Sequence, residues 1–183
     1  MSVHTDEERS LLRKAIDFDE SALAEIYDRY QSALYRYAYR LLGDQQLAED
    51  CIADTFFRFL KNLRKGNAPT ENLRAYLYRI AHNWVTDYYR RAQKAPEQEL
   101  TDHLAKNEDM DEVVSNRLES EVIRAAILTL TPDQQQVIIL KYLEGWQNEE
   151  IARFMGKRVG AVKALLHRSL VTLKKKCVLQ EKE

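Results

Sequence analysis

The sequence predicts an all-α protein: two small helical domains, joined by a flexible acidic linker, with a helix-turn-helix as the C-terminal domain. Residues that interrupt helices are rare, with 5 Gly and 3 Pro among 183 residues. Apolar residues recur at steps of three and four, the period of one helix face, through most of the chain. No alternation of apolar and polar residues is long enough to indicate a strand.

Composition and charge narrow the possible functions. The chain is 45% hydrophobic and 31% charged, which is typical of a globular protein with a buried core. A net charge of −1 excludes a protein that coats DNA with its whole surface, so nucleic-acid binding must depend on local cationic patches. Cys51 and Cys177 are too far apart for a CxxC motif. No metal-ligand spacing connects the histidines, which are His4, His82, His103 and His167.

We therefore expect no metal, no cofactor, no small-molecule substrate and no enzymatic activity. No apolar stretch approaches the length of a membrane span, and the polar N-terminus lacks a basic leader followed by an apolar core. We expect a cytoplasmic protein without membrane insertion.

The first predicted domain, 1–92, begins with a short helix from Glu7 to Ile16. Asp17, Phe18 and Asp19 interrupt it, and Asp19 is placed to cap a second helix that Gly43 ends. One buried stripe runs along that second helix, through Leu23, Ile26, Tyr30, Leu34, Tyr37 and Leu41. We interpret its tyrosines as core residues.

A third helix follows Asp44, which is placed to cap it. Its predicted buried side consists of Ala48, Ile52, Phe56, Phe59 and Leu63. Another face leaves a large aromatic outward beside two carboxylates, which fits a protein partner better than water. That face carries Asp50, Ala53, Asp54 and Phe57. An incidentally exposed phenylalanine is the alternative interpretation.

After a loop from Arg64 to Thr70, a fourth helix is predicted from about Glu71 to Arg91. Its predicted inner stripe is Leu73, Leu77, Ile80, Trp84 and Tyr88. The outer face mixes cations, an amide and an aromatic, as binding of single-stranded nucleic acid requires. It carries Tyr76, Arg79, Asn83, Asp87, Arg90 and Arg91.

Helical periodicity stops in residues 93–115, where seven acids stand against two lysines, and we interpret this segment as the acidic linker. The second predicted domain, 116–183, opens with a helix from Arg117 to Leu130. Thr131 to Gln134 then form a capping box with proline at the first helical position, which starts another helix.

A helix-turn-helix is predicted within this domain. Gln147 and Asn148 start a short helix, Gly156 ends it, and Val159 opens a second helix. The predicted buried stripe of the second helix is Val162, Leu166, Leu170 and Leu173. Eight Lys or Arg and no acid lie between Arg153 and Lys176. Since such a second helix lies in the major groove, duplex DNA is the predicted partner, unless the cations merely form a solvated face.

Three blocks of sequence in this order resemble the extracytoplasmic-function (ECF) sigma factors of the sigma-seventy family. They are YDRYQSALYRYAYRLLGDQQLAEDCIADTFFRFL, then LRAYLYRIAHNWVTDYYRR, then LTPDQQQVIILKYLEGWQNEEIARFMGKRVGAVKALLHRSLVTLKK. The resemblance implies sigma region 2 in 1–92 and sigma region 4 in 116–183. It implies core RNA polymerase (clamp and flap) and promoter DNA as partners, an anti-sigma factor as regulator, and a linker that threads through polymerase channels.

The resemblance also implies residue roles. The face of Asp50, Ala53, Asp54 and Phe57 would dock on the polymerase clamp. The loop from Arg64 to Asn72 and the outer face from Tyr76 to Arg91 would read the −10 element, with Asn83 at the pocket for a flipped base. The −35 element would meet Lys157, Arg158, Lys163, Ala164, His167 and Arg168.

The sequence departs from the family's common recognition pattern of Thr, Ser and Arg, having Ala161, Ala164 and Leu165 instead. We therefore expect a −35 interaction that depends on phosphates and DNA shape. Two other functions stay open on the residues alone. One is a stand-alone regulator that binds an operator through its helix-turn-helix, and the other is a helical scaffold without nucleic acid.

Overall fold

The structure, a computed structural model, describes residues 3–69, 72–92 and 125–180. The chain divides into two compact units, 1–104 and 105–183. All regular structure in the described residues is helical, so the predicted all-α class is confirmed. None of the helices in these ranges is long and apolar enough to cross a membrane. Three predicted segments lie outside the described residues: the linker at 93–115, the first part of the following helix at 117–124, and residues 70 and 71, where the predicted loop meets the predicted fourth helix.

The first unit contains four helices in its described part: α1 (Val3–Ile16), α2 (Glu20–Leu42), α3 (Gln45–Arg64) and α4 (Leu73–Ala92). The second unit has a helical segment at 125–128, then α5 (Pro132–Ile138), a π-helical turn (Ile139–Leu143), α6 (Asn148–Met155) and α7 (Val159–Gln180).

The predicted ends of α2 and the start of α3 are confirmed. The Asp19 carboxylate accepts the Ala22 amide at 2.8 Å, and Asp44 accepts the Leu47 amide at 2.7 Å. Hydrogen bonds donated by the Ser21 hydroxyl and the Ala22 amide lower the pKa of Asp19, so this cap is charged at neutral pH. Gly43 ends α2 in the left-handed conformation, at φ 72°.

The core of the first unit lies where α2 packs against α3 and α4. The predicted stripe of α3 is buried at all five positions. Tyr37 of α2 is fully buried, with its ring edge-on to Tyr78 at 5.1 Å. Its hydroxyl forms a hydrogen bond with Nδ1 of His82 at 2.8 Å. The partnered hydroxyl fits a structural role for this tyrosine.

The predicted inner stripe of α4 is wrong beyond Leu77. The helix buries Tyr78, Ala81 and Val85, whereas Ile80, Trp84 and Tyr88 are half-exposed. The cause is close packing against α3, since the Cys51 thiol reaches the Ala81 carbonyl at 3.7 Å and a small residue is needed there. The two large rings instead lie at the edge, stacked at 5.9 Å between Trp84 and Tyr88.

The second unit is organised around Trp146, which is 1% exposed and meets the ring of Phe154 edge-on at 5.4 Å. The π-helical turn precedes it, and its i to i+5 hydrogen bond runs from the Glu144 amide to the Ile139 carbonyl at 3.0 Å. Periodicity did not predict this turn. Around Trp146 the core contains Val137, Ile139, Leu140, Ile151 and Val162.

The predicted stripe of α7 is confirmed at Val162 and Leu166 but is wrong at Leu170, which is 45% exposed. Steps of four residues drift around a helix with 3.6 residues per turn, and the buried side moves to Ser169. The Ser169 hydroxyl donates to the Leu165 carbonyl at 2.7 Å, so a polar residue is satisfied at this position. In the helical segment at 125–128 and just after it, Ile127 and Leu130 are buried, whereas Leu128 is exposed.

The turn between α6 and α7 forms as predicted. Gln147 caps α6, because its amide donates to the Glu150 carboxylate at 2.7 Å in a capping box. Gly156 ends α6 at φ 63°, in the left-handed region that favours glycine. Gly160, four residues later, lies in the first turn of α7 with a negative φ.

These two glycines give a matched pair of alanine substitutions. Neither added Cβ meets an atom within 4 Å, so only the backbone conformation differs between the sites. We predict that Gly156→Ala lowers the free energy of unfolding by about 1 kcal/mol, whereas Gly160→Ala raises it by roughly 0.5 kcal/mol. Both effects are measured by urea unfolding in a Trp84→Phe background, in which tryptophan fluorescence comes from Trp146. Equal effects of the two substitutions would contradict the assigned turn.

Candidate functional site

The outer face of α3 presents a large aromatic to solvent, as predicted. Phe57 is 63% exposed, and the exposed residues Ala53 and Asp50 lie one and two turns before it, respectively. Asp54 is half-exposed and forms an ion pair with Arg58 at 2.5 Å. Sequence reasoning missed Leu60, which is 37% exposed and extends the apolar line of Ala53 and Phe57. Its spacing of three residues from Phe57 was the available signal.

The outer face of α4 brings together most of the residues predicted for it. Arg79, Asn83, Arg90 and Arg91 are exposed. Asp87 is half-exposed and forms an ion pair with Arg90 at 2.8 Å. The face is therefore cationic, with an amide between its charges.

Two other predicted residues lie at the junction of α3 and α4. Tyr76 is half-buried, its ring meets Phe59 edge-on at 6.2 Å, and its hydroxyl accepts a hydrogen bond from Asn62 at 2.7 Å. Asn72 caps α4, since its side-chain oxygen accepts the Ala75 amide at 2.8 Å. The outer-face position predicted for Tyr76 is wrong, because these contacts hold its ring against α3.

Sequence reasoning also placed an accessible aromatic group in the core. Trp84 and Tyr88 are half-exposed on α4, directly after Asn83 and Asp87, and their rings are nearly parallel at 1°. Tyr89 is 37% exposed, and its hydroxyl donates to the Leu41 carbonyl. The side of α4 near Asn83 therefore offers a partly accessible aromatic surface.

The predicted recognition face of α7 is exposed. Its solvent-facing residues include three cations, a histidine and two alanines: Arg158, Ala161, Lys163, Ala164, His167 and Arg168. Leu165 is half-buried. Lys157 differs from the others, because its ammonium group pairs with the Asp133 carboxylate of α5 at 3.0 Å. This contact joins α5 to the turn between α6 and α7, so no local pattern predicted it.

Both helical units of the chain match known protein families. Residues 26–95 match the family described as Sigma-70 region 2, and residues 120–173 match Sigma-70, region 4. The chain is 31% identical to the ECF RNA polymerase sigma factor BldN of Streptomyces coelicolor, over 89% of this chain and 63% of that protein. It is 32% identical to the ECF RNA polymerase sigma factor SigW of Bacillus subtilis, over 86% of this chain and 89% of that protein.

The chain is an ECF sigma factor of the sigma-70 family. It therefore binds core RNA polymerase and promoter DNA, and it directs promoter-specific initiation of transcription through the −10 and −35 elements. A stand-alone operator-binding regulator is not favoured, because both sigma regions are present in one chain. Sigma factors are initiation factors, and the family has no enzymatic role.

Solved structures share the fold of this ECF sigma factor. A structure of CnrH in complex with the cytosolic domain of CnrY has a TM-score of 0.72 at 24% identity, covering 96% of this chain and 98% of that one. The sigma factor RpoE of Bartonella quintana, solved with the anti-sigma factor NepR, has a TM-score of 0.60 at 22% identity. That match covers 87% of this chain and 95% of RpoE.

Proposed function

We propose that three exposed helix faces of this sigma factor each bind a different partner or promoter element. The outer face of α3 docks on the polymerase clamp, and α7 reads the −35 element. The −10 element is read by the outer face of α4 together with the loop from Arg64 to Asn72. The observation that carries this assignment is the difference in chemistry between the faces. On α3, exposed apolar side chains lie beside two carboxylates, whereas exposed cations lie on α4 and α7.

Docking through α3 follows from the exposure of Phe57. A phenylalanine that is 63% exposed gains from desolvation in a partner's pocket, and aromatic side chains often dominate interface energies. Asp50 and Asp54 lie beside it, where like charge on DNA would be repelled. This face therefore favours a protein with cationic groups around an apolar pocket.

Reading of the −10 element by α4 combines an amide, cations and aromatic surface. Extruding a base costs a few kcal/mol, which contacts with the base and its phosphates must offset. Asn83 can form paired hydrogen bonds with a base edge, and Arg79, Arg90 and Arg91 can neutralise phosphates. The accessible part of the Trp84–Tyr88 pair offers a surface for stacking.

At the −35 element, α7 offers more charge than base-specific chemistry. Ala161 and Ala164 are exposed where they can make only apolar contacts, such as with a thymine methyl. Arg158, Lys163 and Arg168 supply the cations. We infer an affinity that depends strongly on salt and only weakly on base identity at the positions facing the alanines.

The regulator of this sigma factor is inferred from a similar protein. RpoE of Bartonella quintana was solved in complex with an anti-sigma factor. We infer that a protein of the same class holds this chain inactive, and that the chain acts in the cytoplasm, where the polymerase is found. The chain makes no covalent bond itself, because the polymerase forms the phosphodiester bonds.

Reconstitution tests this proposal. The purified chain is mixed with core polymerase and a library of promoter fragments, and transcript starts are mapped. Transcripts that begin downstream of a shared pair of −10 and −35 sequences are expected, together with a shift of the polymerase on native gels. DNA binding at a palindrome without any polymerase complex would contradict the proposal.

Phe57→Ala tests the docking face. We predict that it weakens binding to core polymerase by about 2 kcal/mol, roughly 30-fold, as loss of a central aromatic does in other interfaces. Competition with a labelled sigma factor measures the affinity. Ile16→Ala, which removes another exposed apolar side chain from the same unit, serves as control. Equal affinities of the two variants would remove Phe57 from the interface.

Asn83→Ala tests the −10 face. We predict that promoter opening becomes about tenfold slower, the effect of losing one base-specific contact, while binding to core polymerase is unchanged. Permanganate reactivity of thymines in the −10 region follows opening. Thr86→Ala, also exposed on α4, is the matched control. Normal opening by the Asn83 variant on duplex DNA would exclude this role.

Asp133→Asn tests whether Lys157 is held away from DNA. An exposed ion pair contributes at most about 1 kcal/mol, so its loss should release the ammonium group at little cost to stability. We predict that affinity for −35 DNA rises by about threefold and that the salt dependence steepens by about one charge. Glu149→Gln controls for removal of an acid from the same unit. An equal gain in both variants would indicate only a change in net charge.

A further inference from the structure

The N-terminal helix α1 has no part in the roles proposed above. It also precedes residues 26–95, which match Sigma-70 region 2. It belongs to the first unit, where its Leu11, Leu12 and Ala15 are buried in the core. Beyond this packing, α1 and the turn after it make two contacts at particular points. One point is the start of α4 and the other is the end of α3, and these two helix ends flank the loop assigned to the −10 element.

Glu8 forms the contact at the start of α4. Its Oε1 accepts the backbone amide of Arg74 at 3.1 Å and the hydroxyl of Tyr30 at 3.2 Å. Amides in the first turn of a helix have no partner within the helix, so a carboxylate from another helix satisfies one of them here. The next amide, of Ala75, is satisfied by Asn72. Glu8 and Asn72 together fix the first turn of α4.

Tyr30 holds this carboxylate in place from α2. The ring is 9% exposed, and burial, followed by the charge of Glu8, raises the pKa of Tyr30 above its ordinary value. The hydroxyl therefore keeps its proton at any physiological pH and remains a donor to Glu8. One carboxylate thus connects α1, α2 and α4.

Phe18 forms the contact at the end of α3. The guanidinium carbon of Arg64, the last residue of α3, lies 5.5 Å from the centre of the Phe18 ring. Phe18 itself has φ 57°, in the left-handed region that bulky residues rarely adopt. The turn after α1 therefore keeps an unfavourable backbone conformation that directs this ring towards Arg64.

We propose that α1 and the turn after it act as a brace, which fixes the ends of α3 and α4 and so positions the adjoining loop residues 65–69 to receive single-stranded −10 DNA. Glu8 is the positioning residue of this brace, and Phe18 is its second contact. The inference rests on the proposed role of the loop in reading the −10 element. Fixing both ends before binding reduces the conformational entropy that DNA capture would otherwise cost.

The test uses holoenzyme, formed from core polymerase and the full chain, and a single-stranded −10 oligonucleotide with a fluorescent label. Glu8→Ala should weaken oligonucleotide binding by about fivefold, the factor that one ordinary hydrogen bond represents. Glu8→Gln keeps an acceptor oxygen and should stay within about twofold of wild type. Phe18→Leu should weaken binding by about threefold, because it keeps an apolar side chain but removes the ring below Arg64.

Controls separate positioning from folding. Glu7→Ala removes an exposed acid from the same helix and should bind like wild type. Affinity for core polymerase should be unchanged in all variants, because the α3 face is untouched. Loss of polymerase affinity in Glu8→Ala, parallel to the loss of oligonucleotide binding and not rescued by Glu8→Gln, would show a general structural role and overturn the brace.

Loop variants distinguish failure of the brace from failure of the proposed function. Lys65→Ala and Asn67→Ala change exposed residues of the loop itself. If they weaken oligonucleotide binding and Glu8→Ala does not, the brace is wrong and the role of the loop stands. If neither loop variant weakens binding, the loop does not read the −10 element, and the brace is overturned with it.

Discussion

Packing of α3 and α4 against the buried side of α2 determines which side chains the first unit can offer to a partner. Once Ile52, Phe56 and Phe59 of α3 face the core, Phe57 must face outward, because neighbouring residues on a helix point about 100° apart. Likewise, burial of Ala81 and Val85 turns Asn83 to solvent. The binding faces are thus consequences of the core, and a change in helix rotation would remove them.

In the second unit too, packing of the core determines which side chains face outward. Trp146 fills the space between the π-helical turn and α6, and Val162 fixes α7 against them. The rigid turn at Gly156 then sets the direction of α7, so that its cations share one exposed side. Charge of this kind attracts duplex DNA, whereas base selection needs side chains that reach the base edges. Because α7 exposes alanines where base contacts would be made, we expect the −10 element to supply most of the sequence specificity.

Much of this could be predicted from the sequence where the signals are local. Caps at Asp19, Asp44 and Gln147 and the glycine ends of α2 and α6 were found from single residues and their spacing. The stripe of α3 was found because four of its five members are large and apolar: Ile52, Phe56, Phe59 and Leu63. The buried side of α4 was not, because its core positions include Ala81, which carries little hydrophobic signal, while Trp84 and Tyr88 carry a strong one. Contacts between distant residues, such as Glu8 with Arg74 and Lys157 with Asp133, have no periodicity to reveal them.

Site-specific crosslinking of the complete initiation complex tests the central claim most directly. A photoreactive amino acid is introduced singly at positions 57, 83 and 167, and each variant is assembled with core polymerase on a promoter fragment. The account predicts that position 57 crosslinks to a polymerase subunit, position 83 to the non-template strand of the −10 element, and position 167 to duplex DNA at the −35 element. Crosslinks from position 57 to DNA, or from position 167 to polymerase with none to DNA, would contradict it.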